Sequence, residues 1–507
     1  MQFIVVKNRE PLPTSAYDTC VLSEDNWNDW HRYQTMYNVN YFDSRGESKY
    51  IGEVKIGDTK STGRPPLPTT FTQLDHTFLS LGQNGYFYDS LNKLGGDVAS
   101  TILTALRDMA FDLSIYARVK DLDVVTESIM RSVTATELTG QFHRISQGGA
   151  LLTPYNFIYK SRNKPVDFDV VPDSQPPTNI HILIGANGAG KTTTLNQMVK
   201  CLIQPGQDSS EEHFEFRIIP TPIGFDEKLI DFANVVSVSF SAFDSFSTIV
   251  PSEGKTYSYI GINNISTSSE GICRPKTWLE LAAEFSKSFS LCCSSREKRQ
   301  RWLAAVSGLE TDPIFRSCGV KDLVLNEHAL SSASTSELSS TNAIFDRLSS
   351  GHKIALLTIT RLVELVEECT LVLFDEPEAH LHPPFLASLI RTISLLLTNR
   401  NAVAIIATHS PVILQEVPKS CVWKLRRASL FSEVVEYERP SFETFAENVG
   451  VLTHDVFRLE VTESGFYNLL SQQVSATPDF DVVMAKFHDQ VGMEGRALTR
   501  ALVENTG

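Results

Sequence analysis

The residues best suited to chemistry begin at Gly185. The stretch Gly185-Ala186-Asn187-Gly188-Ala189-Gly190-Lys191-Thr192 is the complete G-x-x-x-x-G-K-[ST] pattern. Such a loop turns backbone N–H groups inward around phosphates, and the helix after it adds its positive end. The flanks agree, since HILI reads as a short buried strand and TTTLNQMVKCLI as a helix. Lys191 is therefore expected to reach the β- and γ-phosphates, Thr192 to hold Mg²⁺, and Thr193 to line the same turn. ATP and Mg²⁺ are the expected cofactors.

A second element, Thr370-Leu-Val-Leu-Phe-Asp375-Glu376-Pro377, is an apolar strand ending in two carboxylates. Adjacent side chains at a strand end point to different sides. Asp375 is expected to contact Mg²⁺ through water and Glu376 to polarise the attacking water. Leu348-Ser349-Ser350-Gly351-His352 stands directly before the apolar helical run KIALLTITRLVELVEE. It resembles the ABC signature, usually LSGGQ, with Ser350 and His352 as departures. Ser349 and Gly351 at a helix N-terminus make an anion site. The P-loop already encloses the nucleotide of its own subunit, so they are expected to cap the nucleotide of a second copy. Read more plainly, Ser349 or Ser350 is a helix N-cap.

Glu378-Ala-His380-Leu-His382-Pro then occupies the place of the ABC D-loop, with His382 where aspartate is commoner. Ala402-Val-Ala-Ile-Ile-Ala-Thr-His409 is an apolar strand ending in a histidine that resembles the ABC switch residue sensing the γ-phosphate. His380, His382 and His409 as a metal trio is the weaker expectation, because two of them fall in a subunit-contact loop and no further ligand is evident. ABC proteins also carry a glutamine between P-loop and signature. None stands in SVSFSAFDSF, where Asp244 or Ser241 are the available substitutes. Tyr155, Phe157 and Tyr159 are of the right type to stack on adenine, although core packing is the simpler role.

These motifs need elements to position them. Residues 33–42 and 49–57, joined by the turn-like DSRGE, read as a β-hairpin, and from about Phe71 to Gln141 apolar residues recur at helical steps. The stretch VVPDSQPPTN marks a boundary before HILIG. Strands and helices then alternate to about residue 425, interrupted by a mostly helical stretch at about 250–345. The expected fold is therefore α/β: an ABC-type P-loop ATPase sheet (151–425) with an inserted helical lobe (about 250–345). An N-terminal α+β unit (1–150) precedes it, and a C-terminal segment (426–507) suited to partner docking follows.

Composition narrows the class. With 42% hydrophobic and 21% charged residues among 507, the chain has material for several packed cores. A net charge of −15 works against broad attraction to phosphate backbones. Arg296, Lys298, Arg299 and Arg301 form the densest basic run, which reads first as a solvated helix face. No apolar run approaches a bilayer span, no leader is evident at the start, and the eight cysteines show no paired spacing. A cytoplasmic location without membrane contact is expected.

Taken together, PPTNIHILIGANGAGKTT, LSSGHKIALLTITRLVE, LVLFDEPEAHLHPP, AIIATHSPVILQEVPKSCVW and ENVGVLTHDVFRLEVTESGF resemble the PtuA family of ATPases, over about residues 150–470. PtuA proteins occur in the Septu anti-phage system and beside some retrons. The resemblance implies an ATPase, slow and regulatory, that assembles with itself and partners a separate HNH nuclease, PtuB. In retrons it also implies a reverse transcriptase with its DNA-RNA product. Two other classes stay open: a DNA-repair ATPase of the RecF or SMC kind, and a self-contained nuclease resembling the overcoming-lysogenisation-defect enzymes. The stretch between P-loop and signature shows no heptads, which excludes a long coiled-coil arm. The short tail after His409 leaves little room for a Toprim nuclease, and Asp479-Phe-Asp481 reads as a surface turn.

Overall fold

Three apolar runs of the sequence alternate between two different cores, and this fixes the architecture. Ile182 and Ile184, Val372 and Phe374, and Ala404 and Ile406 point into one core. Their neighbours Leu183, Leu371 and Leu373, and Val403, Ile405 and Ala407 point into another. A strand that must satisfy an apolar layer on each face reads as a continuous hydrophobic run, the mark of a covered parallel sheet. The computed structural model describes residues 1–13, 15–29, 32–152, 154–161, 164–172, 174–204, 212–218, 232–241, 256–264, 274–294, 296–324, 344–427, 435–462 and 465–506.

The N-terminal residues build a six-stranded sheet from β1 (Gln2–Val6), β2 (Thr19–Glu24), β3 (Met36–Phe42), β4 (Ser48–Asp58), β5 (Thr70–Phe71) and β6 (Phe78–Gly82), in the order β5-β1-β2-β3-β4-β6. The β3–β4 hairpin carries a register shift at Val39/Asn40. α1 (Gly85–Asn92) and α2 (Gly96–Leu106) pack on it through Phe87, Leu91, Ile102 and Leu106. Beneath the sheet, Asp29 is wholly buried and accepts hydrogen bonds from Lys55 Nζ (2.8 Å), Ser128 Oγ (2.8 Å), Trp27 Nε1 (2.9 Å) and Arg131 (2.9 Å). Where the sequence pattern is helical from Phe71 onward, β6 is instead a fully buried strand. It is short and apolar on both faces, so period alone does not separate it from a helix.

β7 (Tyr155–Lys160) and β8 (Pro165–Val170) pair antiparallel, β9 (Ile180–Ile184) enters the parallel sheet, and β10 (His213–Ile218) returns to β7. The parallel sheet continues with β11 (Asn234–Ser239) and β12 (Thr256–Gly261). A two-residue ribbon follows (β13 Asn263–Asn264, β14 Arg274–Pro275), then β15 (Thr370–Asp375), β16 (Val403–Thr408), β17 (Val422–Arg427) and β18 (Val435–Glu438). The seven-stranded order is β12-β11-β15-β16-β9-β17-β18, with only β18 antiparallel. This is a doubly covered α/β P-loop sheet.

Helices cover both faces. α3 (Lys191–Ile203) follows the P-loop. α4 (Trp278–Cys293), α5 (Arg296–Leu309) and α6 (Pro313–Ser317) form a helical layer against α7 (Ser350–Leu365) and α8 (Pro383–Thr398). α4 starts on a capping box between Thr277 and Glu280, which satisfies two end donors reciprocally. Trp302 of α5 is completely buried, its indole N–H bonded to Thr360 Oγ1 of α7 at 2.9 Å. Lys298, expected on a solvated face, instead donates to the Glu364 carbonyl in the last turn of α7 (2.9 Å), a C-terminal cap. α9 (Val449–Thr462) is kinked at Phe457. It is tied down by a buried ion pair, Lys424 Nζ to Asp455 Oδ2 at 3.0 Å. Among the described residues no helix is long and apolar enough to cross a membrane.

Candidate nucleotide site

Ligands of parallel α/β sheets bind beyond the carboxyl ends of the strands, and three motifs converge there. β16 lies between β15 and β9, with Asp375 level with Ala407, Ala407 with Leu183, and Thr408 with Ile184. Gly185, Glu376 and His409 thus emerge side by side at one sheet edge.

The P-loop is built for a close ligand. Gly188 (φ +78°) and Gly190 (φ +96°) adopt left-handed backbone, which glycine does without steric cost. A Cβ on Gly185 would collide with the Leu425 carbonyl. α3 begins at Lys191 with no side-chain cap, leaving its first N–H groups for an anion. Lys191 is buried, its ammonium held by the carbonyls of Gly185 (2.8 Å) and Ala186 (3.1 Å). Ala189 is buried, Asn187 and Gly188 are exposed, and Thr192 and Thr193 follow at the helix start, half-buried and exposed respectively. The residues therefore fit a phosphate chain with its cation. The loop amides and Lys191 would hold the phosphates; Thr192 and Asp375 would hold Mg²⁺, which supplies charge neutralisation at the phosphates.

Asp375 ends β15 nearly inaccessible to solvent. Glu376 extends the ladder by one bond, its N–H donating to the Ala407 carbonyl (2.9 Å), and then turns at φ +48°. A non-glycine residue in that region carries strain of about 1–3 kcal/mol and is commonest at functional sites. His409 faces it, with Nδ1 at 3.4 Å from Glu376 Oε1 and 3.3 Å from Glu378 Oε1. Glu376 and His409 stay partly exposed, as groups that must meet a substrate do.

Glu378 was not singled out by its sequence. Its Oε1 accepts from the Thr408 hydroxyl (2.6 Å) and the His409 N–H (2.9 Å), while buried Oε2 has no partner. It thereby joins the segment after β15 to the end of β16 at His409. Only its place two residues after Glu376 could have pointed to it.

The signature segment starts α7. Ser349 is the N-cap, its Oγ accepting from His352 N (3.3 Å). Gly351 lies so close to the His380 carbonyl that a Cβ would force them apart. Of the two sequence expectations for Ser349, the cap is realised within this chain; the second requires another copy. The histidine trio does not form. His409 pairs with the carboxylates of Glu376 and Glu378, while His382 meets His352 and Asp312, because the turn at His380 (φ +70°) diverts the chain toward the helical lobe. Burial lowers the pKa of His352, with nearby His382 acting the same way and Asp312 opposing. Burial raises the Asp312 carboxyl, but the Phe315 N–H, His382 and His352 together bring it below the usual range.

Ser241 lies just beyond β11, and Asp244 falls outside the described residues. Tyr155, Phe157 and Tyr159 are buried in a core with Phe168, so they pack rather than stack on a base. Asp479 N-caps a helix, Phe480–Lys486, by accepting from Val482 N, where a surface turn was expected.

Residues 297–415 match the family model described as "AAA domain, putative AbiEii toxin, Type IV TA system", a span from α5 through β16. The chain is also 38% identical to protein ea59 of Escherichia phage lambda, in an alignment covering 100% of this chain and 98% of ea59. This chain belongs to the ea59 family. A solved chain from an inward-facing metal-chelate type ABC transporter covers 61% of this chain and 90% of its own, at 13% identity and a TM-score of 0.29, too low to carry an argument. The sheet order, the P-loop geometry and the AAA-domain match together support an ABC-like P-loop ATPase.

Proposed function

We propose that the protein hydrolyses ATP slowly, as a switch whose two copies close around nucleotide, and that this switch governs a separate HNH nuclease in anti-phage defence, as in the PtuA family. The observation that carries the ATPase reading is the pairing of Glu376 with His409 at the strand edge that also delivers Lys191 and Asp375. In this reading Lys191 binds the phosphates, Glu376 orients the attacking water and accepts its proton, and His409 registers the γ-phosphate from the neighbouring strand. Ser349 and Gly351 serve the nucleotide of the second copy. Mixing Lys191→Ala chains with Ser349→Arg chains tests that arrangement. Mixed dimers should regain about one working site, and undiminished hydrolysis by enforced monomers would sink the shared-site idea.

The nuclease partner rests on the PtuA resemblance and on Asp479 serving as a helix cap instead of a cleavage residue. The lambda relative places the family in phage genomes as well, where such a system would act against competing phages. Two surfaces are open to the partner: the N-terminal unit, and the C-terminal helices with exposed Phe466 and Leu469. In retrons a reverse transcriptase with its DNA-RNA product would join. Co-expression with the genomic neighbours should co-purify an HNH nuclease. DNA cleavage by this chain alone, lost on Asp479→Ala or Asp481→Ala, would favour the self-contained enzyme, and binding to DNA ends without any partner would favour the repair class.

A further inference from the structure

The two places where the sequence departs from the ABC pattern with a histidine, His352 in the signature and His382 in the D-loop, come together in space. They meet at Asp312 of the helical lobe, whose sequence gave no sign of a role. Asp312 Oδ2 lies 3.2 Å from His382 Nε2, and Asp312 Oδ1 lies 3.7 Å from His352 Nε2. One ligand atom from each residue fits within a span of 4.8 Å. The three side chains come from separate elements: the residue before α6, the first turn of α7, and the residue before α8.

Their bonding is incomplete as it stands. The His352 ring is buried between Phe315 and Phe385, at centroid distances of 5.6 and 4.8 Å, and its Nδ1 has no partner. At 3.7 Å, Nε2 is too far from the carboxylate for a hydrogen bond. A buried imidazole nitrogen without a partner is costly, and leucine or phenylalanine would fill the space without that cost. Two ligands of a tetrahedral Zn²⁺, each at about 2.0–2.1 Å, stand roughly 3.3 Å apart. The His382–Asp312 separation already has this value; His352 Nε2 faces the other carboxylate oxygen, and with the three ligand atoms within 4.8 Å of one another the side chains must draw in to close on one ion. Phe315 and Phe385 supply an apolar wall, the Phe315 N–H holds Asp312 Oδ1 from behind (2.8 Å), and half-exposed His382 leaves one side open to solvent.

We propose that Asp312, His352 and His382 form a binding site for a divalent transition-metal ion of the Zn²⁺ class, with two imidazole nitrogens, one carboxylate and an open fourth position. Two imidazoles select against Mg²⁺ and Ca²⁺, which take oxygen ligands. The ion would tie the helical lobe, the start of the signature helix and the segment after β15 into one unit, fixing Ser349 and Gly351 from behind. Metal binding itself does not depend on the ATPase reading.

The test uses the full chain without an affinity tag, stripped with a chelator and free of nucleotide. Co²⁺ is titrated with its visible absorption followed, and Zn²⁺ content is measured by elemental analysis after gel filtration. Wild type should take up one tight equivalent per chain, with the intense band of four-coordinate Co²⁺, and Zn²⁺ should raise its melting temperature. His382→Ala removes a largely exposed ligand, and Asp312→Asn keeps an oxygen for the Phe315 N–H, so both should fold. Each should weaken uptake at least about tenfold and abolish the thermal shift. No stoichiometric uptake by wild type, or equal uptake by both variants, would overturn the site.

Discussion

His181 offers a test of the nucleotide-binding sheet that needs no ligand. It stands on β9, the strand that delivers the P-loop, wholly buried with its ring against the edges of Phe157 and Phe168 (centroids 6.5 and 5.2 Å). Neither ring nitrogen makes a hydrogen bond of normal geometry. Burial, and then the positive charge of Arg439, push its pKa from 6.5 down to about 3, with the Thr178 carbonyl opposing without reversing the shift. Between those values the unfolded chain binds the proton and the folded chain does not. The stability due to neutral His181 is therefore complete above about pH 6.5 and is lost as pH falls toward 3, with a limiting slope of about 1.4 kcal/mol per pH unit. Between about pH 7.5 and about pH 5 this amounts to about 2 kcal/mol. His181→Leu, close in volume, should remove that loss and be at least as stable as wild type near neutrality, since it buries no unsatisfied nitrogen. Urea unfolding of both proteins across this range measures the difference. Curves that stay parallel down to about pH 5, or a variant uniformly less stable, would refute the reasoning.

Other perturbations probe the site and its supports. Lys191→Ala should abolish ATP binding measured by filter retention or calorimetry, whereas Glu376→Gln should retain binding, lose hydrolysis and trap ATP; equal binding by wild type and Lys191→Ala would remove the P-loop from the account. Glu378→Ala strands the buried Thr408 hydroxyl, at a cost of about 1–3 kcal/mol, and frees the exposed His409 N–H, so turnover should fall further than ATP affinity in a steady-state assay. Trp302→Ala should cost about 3–5 kcal/mol in denaturant unfolding and loosen the helical lobe from α7, while Trp302→Phe should cost clearly less. An insensitive Trp302→Ala would mean that the lobe is held elsewhere.

What the sequence reveals depends on how local the physics is. The P-loop is legible because left-handed backbone at Gly188 and Gly190, the lysine and the helix start all lie within a few residues. The strands that end at Asp375 and His409 are legible because each faces two apolar cores and so reads as an unbroken apolar run. β6 is misread for the same reason, since a five-residue apolar strand lacks the length that separates strand from helix. β7, β8 and β10 show aromatic residues, but only their antiparallel pairing reveals that these rings fill a core instead of greeting a base.

Asp312 marks where local reading ends. It contacts His382 across 70 residues, and nothing in its neighbourhood distinguishes it from any aspartate that caps a short helix. His352 and His382 are visible as departures from a pattern, and each alone has a bland reading, one as a core ring and one as a loop residue. Their meaning comes from convergence: the glycine at 351 lets the signature helix approach the His380 carbonyl, and the left-handed turn at His380 swings His382 toward the lobe. Replacing Gly351 with alanine would separate these segments, and with them His352 and His382. The same contact that shapes the signature thus sets the spacing of the histidine pair, which makes the two departures from the ABC pattern one structural feature.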